Sequence, residues 1–518
     1  VRRLIALLVT LDALVLVGLV RPLRFASHFP GAAVSMFYIL GINGGAILRY
    51  TLLVGLLVAI FLVCCRLIDD VPKRLRVPVI AGGAALLAFS FLLLYPSTSN
   101  DLFHYAMEAR ILWVHHANPF TVPPDRYTTD PFYGTVDMPT VVWQNLPSPY
   151  GPVWVLLGVF PLLFGHGDPF WTYIGFKLLA LAFYALCAVF IFKIVRLLRP
   201  GREYRATLLF AWNPLVLMYV AGNGANDIIM MGLTLAALWL AIRSRWNMAL
   251  PVLMLATLMK FVSAVLFPLF VLFALLTTPR EKWRGLIMPL CISAGMALVI
   301  YAPFWQGTDT FYALKFQSNQ FTDSLSALVV HTLGGHFGLA QWDYYAQAAD
   351  VHADVVAKTL AYCAFACAYA YIGWGLIKRR AVLHADDLAS AAFSVICAYL
   401  MLAVLWFQPW YLLWLIPLGA LTAGVRTRVT LLFTLTGLLT HTATAIAAWK
   451  QLYYYHPTWE VLLVAGTVFL LPGLYIGYII ASRTPLGRRL TARVALVRER
   501  LIDAVTRPVE DAPPLPEV

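Results

Sequence analysis

Charge is what this 518-residue chain has least of: Asp, Glu, Lys and Arg make up 12% of it, against 61% hydrophobic residues and a mean hydropathy of +0.77. Missing too are a glycine-rich phosphate loop, a dinucleotide fingerprint following a strand, and any metal-ligand spacing. No basic loop is large enough to hold a nucleotide-binding domain, which argues against a soluble high-energy donor. Cysteine is present but badly placed for chemistry. Cys64, Cys65, Cys187, Cys291, Cys363, Cys367 and Cys397 all fall inside apolar runs, which excludes a disulfide framework and a thiolate metal site and leaves them as small packing residues. No internal repeat, heptad run or separate soluble domain interrupts the pattern. The first apolar run, Leu4 to Val20 behind Arg2 and Arg3, lacks a small-residue cleavage site and reads as an ordinary first span.

What the chain does have is apolar runs of about 17 to 25 residues, the length that crosses a bilayer as helix. The expected fold class is therefore an all-α polytopic membrane protein. Its formal net charge of +13 does not point to nucleic acid, because Lys and Arg gather in short loops between the apolar runs, as orientation in a membrane requires. The loop with Arg66, Lys73, Arg74 and Arg76 sets the inside. Val77 to Tyr95 then runs outward and delivers the acid-rich segment Ser97 to Tyr150, with Asp101, Glu108, Asp125, Asp130 and Asp137, to the outer face. If the run Gly151 to Gly165, short and interrupted by Pro161, is an interfacial or re-entrant helix, every later basic loop falls inside. The turn Asn223 to Asp227, the tip near Lys260, the loop Trp305 to Asp350 and the aromatic turns Phe407 to Trp410 and Trp449 to Pro457 then lie outside. Residues 1–481 form the expected transmembrane domain; 482–518, basic and then rich in Pro and Glu, form an expected cytoplasmic, disordered tail.

Ser97 to Tyr105 is the stretch the rest is organised around. Ser99 or Asn100 can cap a helix beginning near Asp101. Leu102, Tyr105, Ala106, Ala109, Leu112 and Trp113 recur at helical spacing and make one apolar face, while Asp101, His104 and Glu108 share the other. The spacing predicts an amphipathic helix on a membrane surface with a carboxylate at its mouth. Acid-base chemistry at such a surface needs an activated substrate arriving through the lipid. A polyprenyl-phosphate sugar fits, since its phosphate leaves without a strong general acid.

Five motifs in order, Asn100 to Arg110, Asn118-Pro119-Phe120, Ser148 to Trp154, Asn223 to Asp227 and Gln408 to Trp414, resemble the GT-C membrane glycosyltransferases. The similarity is to the polyprenol-phosphomannose-dependent α-1,6-mannosyltransferases and glycosyltransferase family 87, and it spreads over roughly residues 77 to 480. It implies a bundle of transmembrane helices, expected here to number about 13 to 14, with interfacial helices in a large first outer loop. It also implies a lipid-phosphate sugar donor, inversion at the anomeric carbon and an acidic base in that loop. The single Asp of Asn100-Asp101 departs from the Asp-x-Asp of some relatives, so no metal or other cofactor is expected.

The candidate residues each carry two readings. Asp101 is the expected general base, its helix-start position favouring the ionised form; the alternative is a capping Asp. His104 orients that base, binds sugar, or is inert. Glu108 and Arg110 bind substrate or pair to hold the loop, and Tyr150 belongs to the Ser148 to Trp154 motif. Lys260 interrupts an apolar run and needs an anion, which a carrier phosphate supplies, unless it snorkels to the interface. Asp227 with Asn223 and Asn226 binds acceptor hydroxyls or caps a helix. Gln408, Trp410 and Tyr411 form an interfacial belt or a platform for sugar rings. His441 reads as a packing residue, and His115, His116, His331 and His336 lack the company of metal ligands. The expected function is transfer of a sugar, mannose by resemblance, from a polyprenyl phosphate to a cell-envelope glycan or glycolipid at the outer face of the plasma membrane. Rival readings are a lipid-linked-sugar flippase or transporter and a ligase of whole glycans.

Overall fold

The computed structural model describes residues 1–31, 35–135, 144–318, 320–329, 351–452 and 457–482. Asp137, His331, His336 and the tail from Arg483 to Val518 lie outside them. Among the described residues every regular element is a helix, and the only strand-like pairings are isolated bridges such as Arg24 to Leu94 and Thr322 to Trp406. The chain divides into two compact units, Val1–Phe469 and Leu470–Val518. The described part of the second is the end of the Pro457–Ser482 helix.

Nine described helices are long and apolar enough to cross a membrane: Arg2–Val20, Gly44–Asp70, Lys73–Leu92, Pro169–Leu198, Arg280–Phe304, Val355–Lys378, Ala385–Ala403, Val425–Trp449 and Thr458–Ser482. Large side chains such as Leu52, Leu298 and Val299 are exposed on them, as expected where lipid replaces a second protein layer. This is an all-α polytopic membrane protein. The expected 13 to 14 spans counted several apolar pieces that the structure breaks short. Pro214–Gly222 and Asp227–Ile242 form a pair bent by 117°, and Trp246–Met259, Phe261–Thr277 and Pro409–Ala420 are each shorter than a span. The breaks fall at Asn223 to Asn226, at Lys260 and just before Pro409, where polar residues or proline interrupt the apolar sequence. Pro152–Leu157 and Val159–Gly165, joined at Gly158, are likewise too short together to cross.

Several polar groups inside the bundle are bonded, as a medium without water favours. Asp12 of the first span accepts from Ser90 Oγ at 2.7 Å. Asn213 starts the Pro214 helix, its Oδ1 accepting from Leu215 N at 3.0 Å while its Nδ2 donates to Thr434 Oγ1 at 2.9 Å. His441 packs as expected, with Nε2 2.6 Å from the Tyr219 hydroxyl.

Candidate active site

Asp101 reaches its place through a clamped approach. Where the Lys73–Leu92 helix ends, Phe25 N donates to Leu93 O at 2.8 Å and Tyr95 N to Leu23 O at 2.7 Å. Lys177, fully buried, donates to Leu92 O at 3.2 Å and Leu94 O at 2.5 Å, with its ammonium 4.7 Å from the Phe25 ring. Leu94 to Asn100 then lead into the Asp101–Trp113 helix. Of the two capping candidates Ser99 acts, accepting from Asp101 N at 3.3 Å, whereas the Asn100 side chain makes no cap bond.

The sequence expectation of a helix lying on a membrane surface is corrected here. Leu102 to Ala109 are all buried, including His104 and Glu108. The polar face is covered because the helix packs against Pro124–Tyr127, Pro131–Thr135, Pro152–Leu157, Val159–Gly165 and Pro169–Leu198. His104 Nε2 lies 3.1 Å from Glu108 Oε1, so Glu108 pairs with His104 and not with Arg110. Arg110 instead grips Asp130, with Nε 2.9 Å from both carboxylate oxygens and Nη2 2.9 Å from Oδ2. His115 Nε2 adds a contact to Asp130 Oδ2 at 2.7 Å and stacks on Tyr127 at 3.9 Å. Burial alone would raise the Asp130 carboxyl, but Arg110, the Phe132 N–H and His115 outweigh it and hold it below the usual carboxylate range.

Asp101 Oδ2 accepts from the Tyr105 and Tyr150 hydroxyls, each at 3.4 Å. Burial, followed by the charge of Asp101, pushes both phenols well above their ordinary value, so they remain donors. Burial also raises the Asp101 carboxyl above the usual range. Lys260 pulls it back, Asp227 pushes it further up, and His104 and the Ser99 hydroxyl lower it. Tyr150 is brought in by a backbone contact: Gly151 N donates to Met259 O at 3.1 Å, and a Cβ on Gly151 would stand 1.9 Å from Leu258 O. Only glycine lets these two segments touch, and the contact sets Tyr150 beside Lys260.

Lys260 has extended backbone at the break between Trp246–Met259 and Phe261–Leu266. Its side chain is 13% exposed and is paired with an anion within the chain. Nζ donates to Asp227 Oδ1 at 2.7 Å and to Asn226 Oδ1 at 3.5 Å, and faces the rings of Tyr150, Tyr411 and Trp414 at 5.3, 5.5 and 5.7 Å. Asp227 Oδ1 also accepts from Trp414 Nε1 at 2.5 Å. Asn223 Nδ2 donates to Thr98 Oγ1, tying this turn to the approach to Asp101. Gly224 holds the turn with φ +70°, a conformation glycine adopts without strain. The Asn226 backbone amide stands near enough to the Tyr105 hydroxyl to offset part of the rise of its phenol, so Tyr105 lies between Asp101 and the turn.

The aromatic segment supplies one wall. Tyr411 stacks on Trp414 with centroids 4.2 Å apart and planes 18° from parallel, while Trp410 lies 6.0 Å from Tyr219. Tyr411 thus belongs to the surroundings of Lys260, and Gln408 and Trp410 are partly buried beside it. The sequence reading missed Trp414, Tyr105 and Lys177 as site or support residues; each was hidden within an apolar or aromatic run. Among the described residues no three His, Cys, Asp or Glu side chains gather as a metal-binding group.

No curated protein matches the chain. A family model described as "Alpha-(1->6)-mannopyranosyltransferase, N-terminal domain" of the MptA_B family matches residues 12–276. The matched segment carries Asp101, Tyr150, Asn223, Asp227 and Lys260. With its membrane-spanning helices, the chain belongs to the MptA_B family of alpha-(1->6)-mannopyranosyltransferases and is a membrane mannosyltransferase.

Proposed function

We propose that the enzyme takes its mannosyl group from a polyprenyl phosphate and passes it, with inversion, to a hydroxyl of a glycan or glycolipid at the outer face of the plasma membrane. The observation that carries this reading is Tyr150. Its hydroxyl is on Asp101 and its ring is 5.3 Å from the Lys260 ammonium, so a base and a phosphate-binding cation stand on two sides of one residue.

In this reaction the acceptor oxygen attacks the anomeric carbon while the bond from that carbon to the phosphate oxygen breaks. The hydroxyl proton passes to Asp101, whose basicity burial has raised. The electron pair leaves on the phosphate, where Lys260 offsets the charge. An ammonium has three N–H donors. Asp227 and Asn226 occupy two, and the third serves the phosphate. Arg110, held by Asp130, takes no part. His104 and Glu108 stand behind Asp101 as an enclosed pair and support the base rather than bind sugar.

Incubating the purified chain with radiolabelled polyprenyl-phosphate mannose and a membrane acceptor fraction tests the proposal. One mannose added per turnover is expected, and Asp101→Asn abolishes it. Direct use of a nucleotide sugar, or transfer of a whole oligosaccharide, overturns it. Reagents confined to the outside should label a cysteine introduced near position 101; labelling only from within overturns the assigned face.

A further inference from the structure

Asn226 and Asp227 are both fully buried, yet each keeps one polar atom without a partner: the Nδ2 donor of Asn226 and the Oδ2 acceptor of Asp227. Their other side-chain oxygens are engaged by Lys260 and Trp414. An orphaned buried donor or acceptor costs about 1–3 kcal/mol, so two on adjacent residues call for a ligand that satisfies both. A hydroxyl does so, accepting from an amide N–H and donating to a carboxylate.

The location narrows which hydroxyl. Lys260, the phosphate contact of the proposed reaction, touches both residues. Tyr105, whose hydroxyl donates to Asp101, lies beside the Asn226 backbone. A sugar whose anomeric carbon is bonded to the phosphate and faces the base has its ring between these two points. Resting on that reaction, we infer that Asn226 and Asp227 read one ring hydroxyl of the transferred mannosyl group and set specificity for the donor sugar. Asp227 thereby has two tasks: one oxygen holds Lys260 and the other receives the sugar hydroxyl.

The test compares wild type and Asn226→Leu using polyprenyl-phosphate mannose and its monodeoxy analogues, each lacking a single sugar hydroxyl. One analogue should be used at least about tenfold less well than the native donor by wild type. Asn226→Leu should lower kcat/KM for the native donor by a similar factor and cost that one analogue nothing more. Losses that multiply for every analogue, or wild type that uses all analogues as well as the native donor, overturn the inference. Asn226→Asp keeps the shape and the oxygen facing Lys260 while deleting the N–H, and it carries the test if the leucine variant does not fold. Wild type that transfers nothing from the native donor defeats the proposed reaction itself; transfer with multiplying losses defeats only the assignment of Asn226 and Asp227.

Discussion

Asp227 and Lys260, from two separate breaks in the helical chain, meet at 2.7 Å with the carboxylate fully buried. The pair is set in an aromatic surround, and the indole of Trp414 bonds the same carboxylate oxygen. Removing one member leaves the other charge enclosed and unmatched. Lys260→Met should therefore cost about 3–5 kcal/mol of stability, read as a lowered Tm in detergent. Lys260→Met combined with Asp227→Leu should restore much of that Tm without restoring transfer. A single variant with unchanged Tm would show that the pair contributes nothing to the fold.

Asp101→Asn should lower kcat by about 10²–10⁴ while the protein folds normally; near-full activity would refute Asp101 as the base. The pH dependence has a definite sign. The folded carboxyl is raised above 3.8, so the fold binds its proton more tightly than the unfolded chain does. Its stability contribution is then most favourable at low pH and declines as pH rises from 3.8 through the raised value. Activity moves the other way, rising as the base ionises. Asp101→Asn should consequently be at least as heat-stable as wild type at neutral pH, and a marked drop in Tm would contradict this.

Asp130 has the opposite sign. Its folded carboxyl is held below 3.8, so its stabilisation is present above that value and disappears as pH falls through the depressed value. Arg110→Met should destabilise the protein by about 3–5 kcal/mol at neutral pH and by less in strong acid. Melting curves across pH check this; an equal loss at every pH would mean that the guanidinium acts by packing against Phe132, 4.2 Å away.

Gly151→Ala puts a methyl group into the Leu258 carbonyl. The two segments must part, so Tyr150 should withdraw from Asp101 and Lys260 together. Activity should fall at least about tenfold with a lower Tm, in the 1–3 kcal/mol range of an overpacked site. Native-like activity would show that the backbone contact is dispensable.

Much of the fold was legible because apolar run length needs no tertiary information. The spans from Arg2, Gly44, Lys73 and Pro169 begin within a few residues of where hydropathy places them. The helix start at Asp101 and its Ser99 contact were also legible, being local. Four of the five motifs resembling the mannosyltransferases, all but Gln408 to Trp414, fall within the segment matched by the family. What failed was long-range. Periodicity tells which face of Asp101–Trp113 is polar but not that later helices will cover it. An isolated Lys260 announces that it needs an anion, but nothing in the sequence says that Asp227, 33 positions away, provides it. Lys177 was invisible because one cation in a long apolar run does not stop it reading as a span, and its partners are main-chain carbonyls, which have no sequence signature.

The 117° bend between Pro214–Gly222 and Asp227–Ile242 has an electrical consequence. The second half begins a fresh helix at Asp227, and its aligned peptide dipoles place roughly half a positive charge at that end. Asp227 is thus neutralised partly by its own helix and only partly by the neighbouring amine. The cation keeps a residual field, with which in the proposed reaction it meets the single negative charge of a phosphodiester headgroup without first giving up its carboxylate.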